Sequence, residues 1–128
     1  MLRPLAGPGA RHIVVVEDDP RLRKMIVTYL NRAGYEVQEA EDGAQGLAAM
    51  QTAIPDAVLL DLQMPRMNGV EFLAACRSDP RLATVPVVVY SGAPSDEATA
   101  EQLGARAYLM KPVDLDVLRA VMDRVTTT

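Results

Sequence analysis

The chain has one cysteine, Cys76, and one histidine, His12, in 128 residues. A single cysteine excludes an intrachain disulfide framework, and with one histidine it excludes a zinc cluster of the Cys/His kind. A reducing, cytoplasmic setting is expected on that basis. No block of lysine or arginine occurs and the formal net charge is -4, so direct binding to nucleic acid is not expected, because it draws on clustered cations. No apolar run approaches the length of a membrane span, and the opening MLRPLAGPGAR lacks the apolar stretch of a signal peptide. No membrane partner is expected, and residues 1–11 read as a flexible N-terminal tail. Internal repeats and low-complexity tracts are absent as well.

What remains is ordinary for one globular domain: 49% apolar and 23% charged residues, enough for a single core and too short for two. The domain is expected over residues 12–125, with 126–128 as a short C-terminal end.

Short apolar runs alternate with helical patterns. Residues 12–17 (HIVVVE) are a continuous β-branched run, as in a strand covered on both faces. Leu22, Met25, Ile26, Tyr29, Leu30 and Ala33 then recur at intervals of three and four, one face of a helix. Asp19 stands at its N-cap, Pro20 in its first turn and Gly34 at its stop. A more polar strand, hence an edge, is expected over 35–39, and Asp42 caps a small-residue helix over 43–52. Residues 57–61 (AVLLD) are a third strand, and Asn68 with Glu71 form a capping box opening a helix to about Arg77. Residues 86–91 (PVVVYS), 96–103, 106–110 and 113–125 read as strand, short polar helix, strand and helix. Five strands alternating with five helices imply an α/β fold with a parallel sheet covered on both faces.

In such open sheets ligands bind beyond the carboxyl ends of the strands. That edge collects Glu17 and Asp18 from the first strand, Asp61 from the third, Ser91 from the fourth and Lys111 after the fifth. Three carboxylates crowded together raise at least one pKa unless a cation neutralises them. A hard divalent ion held by oxygen suits the set: Mg²⁺ rather than Zn²⁺, with Mn²⁺ as a possible substitute. A carboxylate beside Mg²⁺ can attack phosphorus to give an acyl phosphate, and Asp61 is the central candidate. Mg²⁺ and Lys111 would offset the arriving charge, and the Ser91 hydroxyl and backbone amides would donate to the remaining oxygens. A capping role for Asp61 alone stays open at this point. His12 is read as a strand residue and Cys76, Met64 and Met67 as packing. Arg21, Arg23 and Lys24 are read as a solvated helix face.

The motifs VVVEDDP (14–20), LLDLQMPRMNG (59–69), VVVYSG (87–92) and GARAYLMKP (104–112), in this order and spacing, resemble the response-regulator receiver domains of two-component signalling. The resemblance covers residues 12–125. It implies a doubly wound, flavodoxin-like sheet of order 2-1-3-4-5. It also implies that Asp61 is the phosphoacceptor, loaded from a phosphohistidine on a histidine kinase or histidine phosphotransfer protein. Asp18 would bind Mg²⁺ directly, Glu17 mainly through water, and the Gln63 backbone carbonyl would complete the protein ligands. Ser91 and Tyr108 would be the switch residues, and Lys111, before a cis Lys111-Pro112 bond, would pair with the phosphoryl group. The fourth helix, fifth strand and fifth helix would dock a downstream target or effector domain. The resemblance implies self-phosphorylation and slow autodephosphorylation without turnover of an external substrate.

Two departures bear on the output surface. The segment between Ser91 and Lys111 is shorter than is usual in that family, and Pro94 interrupts it, so the fourth helix is expected to be short, displaced or mobile. The alternatives are a Mg²⁺-dependent phosphohydrolase with an aspartyl nucleophile and a pseudo-receiver that only binds partners. Against the first, Gln63 rather than a second acid follows Asp61 at plus two. Against the second, the full acid, hydroxyl and lysine set is present. The chain closes just after its last helix, as either a stand-alone regulator or a receiver taken from a longer protein would.

Overall fold

The computed structural model describes residues 10–63 and 68–127. Most of the expected tail, the loop with Met64 and Met67, and Thr128 lie outside the described residues. The elements are β1 (His12–Val16), α1 (Pro20–Arg32), β2 (Glu36–Ala40), α2 (Gly43–Thr52), β3 (Ala57–Asp61), α3 (Gly69–Ser78), β4 (Val87–Ser91), α4 (Asp96–Gln102), β5 (Ala107–Met110) and α5 (Leu115–Val125). All pairings are parallel, in the order β2-β1-β3-β4-β5. This is the expected topology, and the polar second strand is an edge.

The continuous apolar runs are explained by burial on both sides. Alternation along each strand sends Val14, Val16, Val58, Leu60, Val87 and Val89 into a core with Met50 of α2 and Phe72, Leu73 and Cys76 of α3. Ile13, Val15, Leu59, Val88 and Tyr90 go to the opposite core, with Ile26 and Leu30 of α1 and Leu118 and Met122 of α5. Every residue of β3 and β4 is buried. Among the described residues no helix is long and apolar enough to cross a membrane.

The caps fix where helices start. Asp19 accepts from the Arg21 and Leu22 amides, Asp42 from Gln45, and Asn68 and Glu71 exchange bonds as a complete capping box. Each such cap contributes about 1 kcal/mol to its helix. Four starts differ from the sequence reading, among them β4 at Val87 rather than 86 and β5 at Ala107 rather than 106. Asp114 caps α5 through the Asp116 and Val117 amides, so that helix begins at Leu115 rather than 113. Tyr35 is not in β2: its amide donates to the Leu30 carbonyl (3.1 Å) and closes α1, which moves the strand on by one residue. Gly34, with φ 100°, makes that turn in the left-handed region that favours glycine. As expected, α4 is short, at seven residues, and Ser95 at its N-cap makes no side-chain capping bond.

Arg23 corrects the solvated-face reading of α1. Its guanidinium donates to the Glu17 carbonyl oxygen (2.7 Å) and to Glu39 (3.0 Å), leaving its side chain only 12% exposed. The cation that should have faced water instead braces the turn after β1.

One contact governs how α3 meets the sheet. A Cβ on Gly69 would stand 2.4 Å from Leu62 Cα and 2.7 Å from the Asp61 carbonyl oxygen, both backbone atoms that cannot swing aside. At Gly92, beyond β4, a Cβ would meet nothing within 4 Å. Gly69→Ala is expected to lower stability by about 1–3 kcal/mol, whereas Gly92→Ala should fall within about 0.5 kcal/mol of the parent. Urea midpoints of the two variants check this pair, and equal midpoints would contradict the close approach of α3 to β3.

Candidate functional site

The site forms because β1 and β3 both run to the same edge, where Glu17 follows β1 directly and Asp61 ends β3. Carboxylate oxygens of Glu17, Asp18 and Asp61 lie within 4.8 Å of one another. Glu17 and Asp61 are buried, at 1% and 2% exposure, while Asp18 is exposed. Lys111 reaches in from the far side, with Nζ 3.2 Å from Asp61 Oδ2 and 3.4 Å from Glu17 Oε1. Its amide donates to the Ser91 carbonyl oxygen (2.9 Å), which ties the end of β5 to β4, and the Lys111-Pro112 bond is cis. An open cleft of about 390 Å³ is lined by Glu17, Asp18, Asp61, Gln63 and Lys111 among others.

The remaining oxygens are held by backbone. Asp61 Oδ1 accepts from the Gln63 amide (3.0 Å), and Glu17 Oε2 accepts from the Asp19 amide (2.9 Å). Even so, burial raises the Glu17 carboxyl above its ordinary value against the opposing bonds from Tyr90 and Asp19. Burial also raises Asp61, against the Gln63 amide and Lys111. Lys111 is opposed by its own burial, but the charges of Asp61 and Glu17 outweigh that and raise it. One ammonium therefore faces three acids, two of which resist ionisation.

Such a site suits a hard cation. All its donors are carboxylate oxygens, one acid is open to solvent, and the cleft gives access. His12 opens β1 at the opposite end of the strand from Glu17, where its amide donates to Asp56. Cys76 lies in the core 3.7 Å from Met50 Sδ, with its thiol pushed up to about 11 by burial. His12 is thus a strand residue and Cys76 a packing residue, as expected.

Ser91 and Tyr108 both bond to Ala93, in the loop after β4 that lines the cleft. Ser91 is fully buried, and its hydroxyl donates to Asp96 Oδ2 while accepting from the Ala93 amide (3.3 Å). Gln63 Nε2 donates to the same Asp96 oxygen (3.1 Å). The Tyr108 hydroxyl donates to the Ala93 carbonyl oxygen (2.7 Å), so β5 is bonded to the loop entering α4.

Two participants were missed in the sequence. Tyr90, fully buried, reaches from β4 past β3 to donate its hydroxyl to Glu17 Oε1, and Lys111 Nζ stands 4.8 Å from its ring centroid. The available signal was a tyrosine in a valine strand, since a buried phenol needs an acceptor. Asp96 carried no comparable signal, because an acid opening a polar helix looks like any first-turn charge.

A doubly wound parallel sheet with three acids and a lysine at its carboxyl edge defines the class of protein to which this chain is compared. The family comparison agrees: the pattern described as the response regulator receiver domain matches residues 13–123. This chain belongs to that family and is a receiver domain of two-component response regulators. It is 31% identical to PilH of Pseudomonas aeruginosa, over 88% of this chain and 95% of that protein. It is 34% identical to the DNA-binding dual master transcriptional regulator RpaA of Synechocystis, over 84% of this chain but 46% of RpaA. The chain thus spans less than half the length of several relatives, including 25% of the Escherichia coli transcriptional regulatory protein GlrR. Among solved structures, the Vibrio cholerae chemotaxis protein CheY4 superposes with a TM-score of 0.85 at 31% identity, covering 91% of this chain and 99% of that one.

The raised carboxyls set a pH dependence. Asp61 has a folded pKa above its ordinary 3.8, so its ionised form destabilises the fold, an effect full above the folded pKa and lost as pH falls toward 3.8. Without divalent cation, Asp61→Asn is therefore expected to raise the melting temperature at neutral pH, with the gain shrinking on acidification. Melts in EDTA across that range test it, and a loss of stability at neutral pH would contradict it.

Proposed function

We propose that this receiver domain is a phosphorylatable switch whose acceptor is Asp61. The observation that carries the reading is the placement of buried Asp61 between two further acids and a lysine ammonium 3.2 Å away. An oxygen of Asp61 attacks the phosphorus of a phosphohistidine on a histidine kinase or phosphotransfer protein. The P–O bond forms as the P–N bond breaks, and the imidazole keeps the electron pair. Lys111 pairs with the transferred group, and Ser91 donates a hydrogen bond to it.

The donor set fits Mg²⁺, with Asp18 and Asp61 as direct ligands, Glu17 acting mainly through water, and the Gln63 carbonyl completing the protein set. Bound there, Mg²⁺ would offset the charge of three acids and the incoming phosphoryl group. The product is an aspartyl phosphate that hydrolyses slowly on its own, without turnover of an external substrate.

Readout runs through Tyr108 and the surface of α4, β5 and α5, where Met110 and Val117 are about half exposed. A downstream target or an attached effector domain would dock there. Histidine kinases of this system work on cytoplasmic partners, and that is the setting proposed. The hydrolase alternative finds no support at plus two from Asp61, where Gln63 carries no acid and its side-chain amide donates to Asp96.

Incubation with Mg²⁺ and acetyl phosphate, followed by mapping of the modified residue, tests the proposal. Asp61 should carry the phosphoryl group, and either Asp61→Asn or EDTA should reduce labelling by at least about 100-fold. Equal labelling of Asp61→Asn, or steady turnover of an added phosphomonoester, would overturn it.

A further inference from the structure

The Ser91 hydroxyl has one proton and can donate it to one acceptor at a time. Strand alternation turns Tyr90 toward α1 and α5 but places Ser91 on the side of Val87 and Val89, where α3 and α4 lie. There the proton goes to Asp96, the first residue of α4. The acceptor is a carboxylate, and hydrogen bonds to charged acceptors are about twice as strong as neutral ones. Gln63, two residues beyond Asp61, donates to the same oxygen at 3.1 Å. A single carboxylate on α4 therefore holds one side chain from beyond β3 and one from the end of β4.

Resting on the phosphoacceptor reading of Asp61, we infer that Asp96 is a positioning residue that withholds the Ser91 hydroxyl from the acceptor site in the unphosphorylated protein. The phosphoryl oxygens and Asp96 compete for one proton. When Ser91 turns to the phosphoryl group, Asp96 keeps only Gln63, and like charge repels its carboxylate from the phosphoryl group. The start of α4, which has no side-chain cap of its own, then loses its bond to β4. The same exchange that completes the phosphoryl site thus releases the helix that reports it. Because only molecules with a free Ser91 hydroxyl are competent, the apparent affinity for a phosphoryl group is reduced by that fraction.

The test is beryllofluoride binding with saturating Mg²⁺, followed by backbone amide shifts, in the parent, Asp96→Ala, Asp96→Asn, Ser91→Ala and the Ser91→Ala/Asp96→Ala double variant. Asp96→Ala is expected to tighten binding by roughly 3- to 10-fold. Asp96→Asn, whose amide oxygen still accepts, should show a smaller gain. In the Ser91→Ala background the Asp96→Ala gain should vanish, because Asp96 acts through that hydroxyl. Unchanged or weaker binding by both single Asp96 variants would overturn the inference while leaving the phosphoacceptor reading intact. An equal gain without Ser91 would also overturn it, reducing Asp96 to a bulk charge effect. A parent that binds beryllofluoride no better than Asp61→Asn would sink the phosphoacceptor reading, and this inference with it.

Discussion

Three acids share one sheet edge with a single ammonium to balance them, and the rest of the site is arranged around that imbalance. Glu17 and Asp61 are buried where ionisation is opposed, and neither can move away, because backbone amides of Asp19 and Gln63 grip their oxygens. Lys111 neutralises part of the charge, and the Tyr90 hydroxyl steadies Glu17 from β4. The residual negative charge is what makes the edge a place for a divalent cation rather than a salt-bridged core. Arg23, on the carbonyl side of Glu17, stabilises the turn without cancelling the charge inside the cleft.

The fold supplies that imbalance cheaply. Both faces of β1 and β3 pack on helices, with β3 buried throughout and β1 buried from Ile13 on, so the acids at their ends are held by cores rather than by loops. The close seat of Gly69 against Asp61 and Leu62 brings the start of α3 onto the same edge. In contrast, β5 is only partly buried, and α4 has seven residues and no side-chain cap. Dense burial at the acids and a shorter, more exposed α4 and β5 divide the fold into a firmly packed part and a less packed one.

Much of this was legible from the sequence, for reasons particular to its parts. Continuous β-branched runs announced strands covered on both sides, and Asp19, Asp42 and Asn68 announced helix starts because their short polar side chains satisfy free amides. The strand-end rule then joined Glu17, Asp18, Asp61, Ser91 and Lys111 into one place. What escaped were pairings between side chains on elements whose relative rotation no local pattern records. Tyr90 to Glu17, Asp96 to Ser91 and Gln63, and Arg23 to Glu39 are all of this kind. Tyr35 was misplaced for a related reason: its aromatic character suits a strand, but its amide was needed to finish α1.

The central claim is that burial raises the Glu17 and Asp61 carboxyls above their ordinary values and that a divalent cation bound beside them would offset this. Calorimetric titration with Mg²⁺ slightly above the ordinary carboxylate range, repeated in buffers of different ionisation enthalpy, measures the protons released on binding. The account predicts net proton release that declines as pH rises and is reduced in Asp61→Asn. Binding with no proton release at any pH in that range would contradict it.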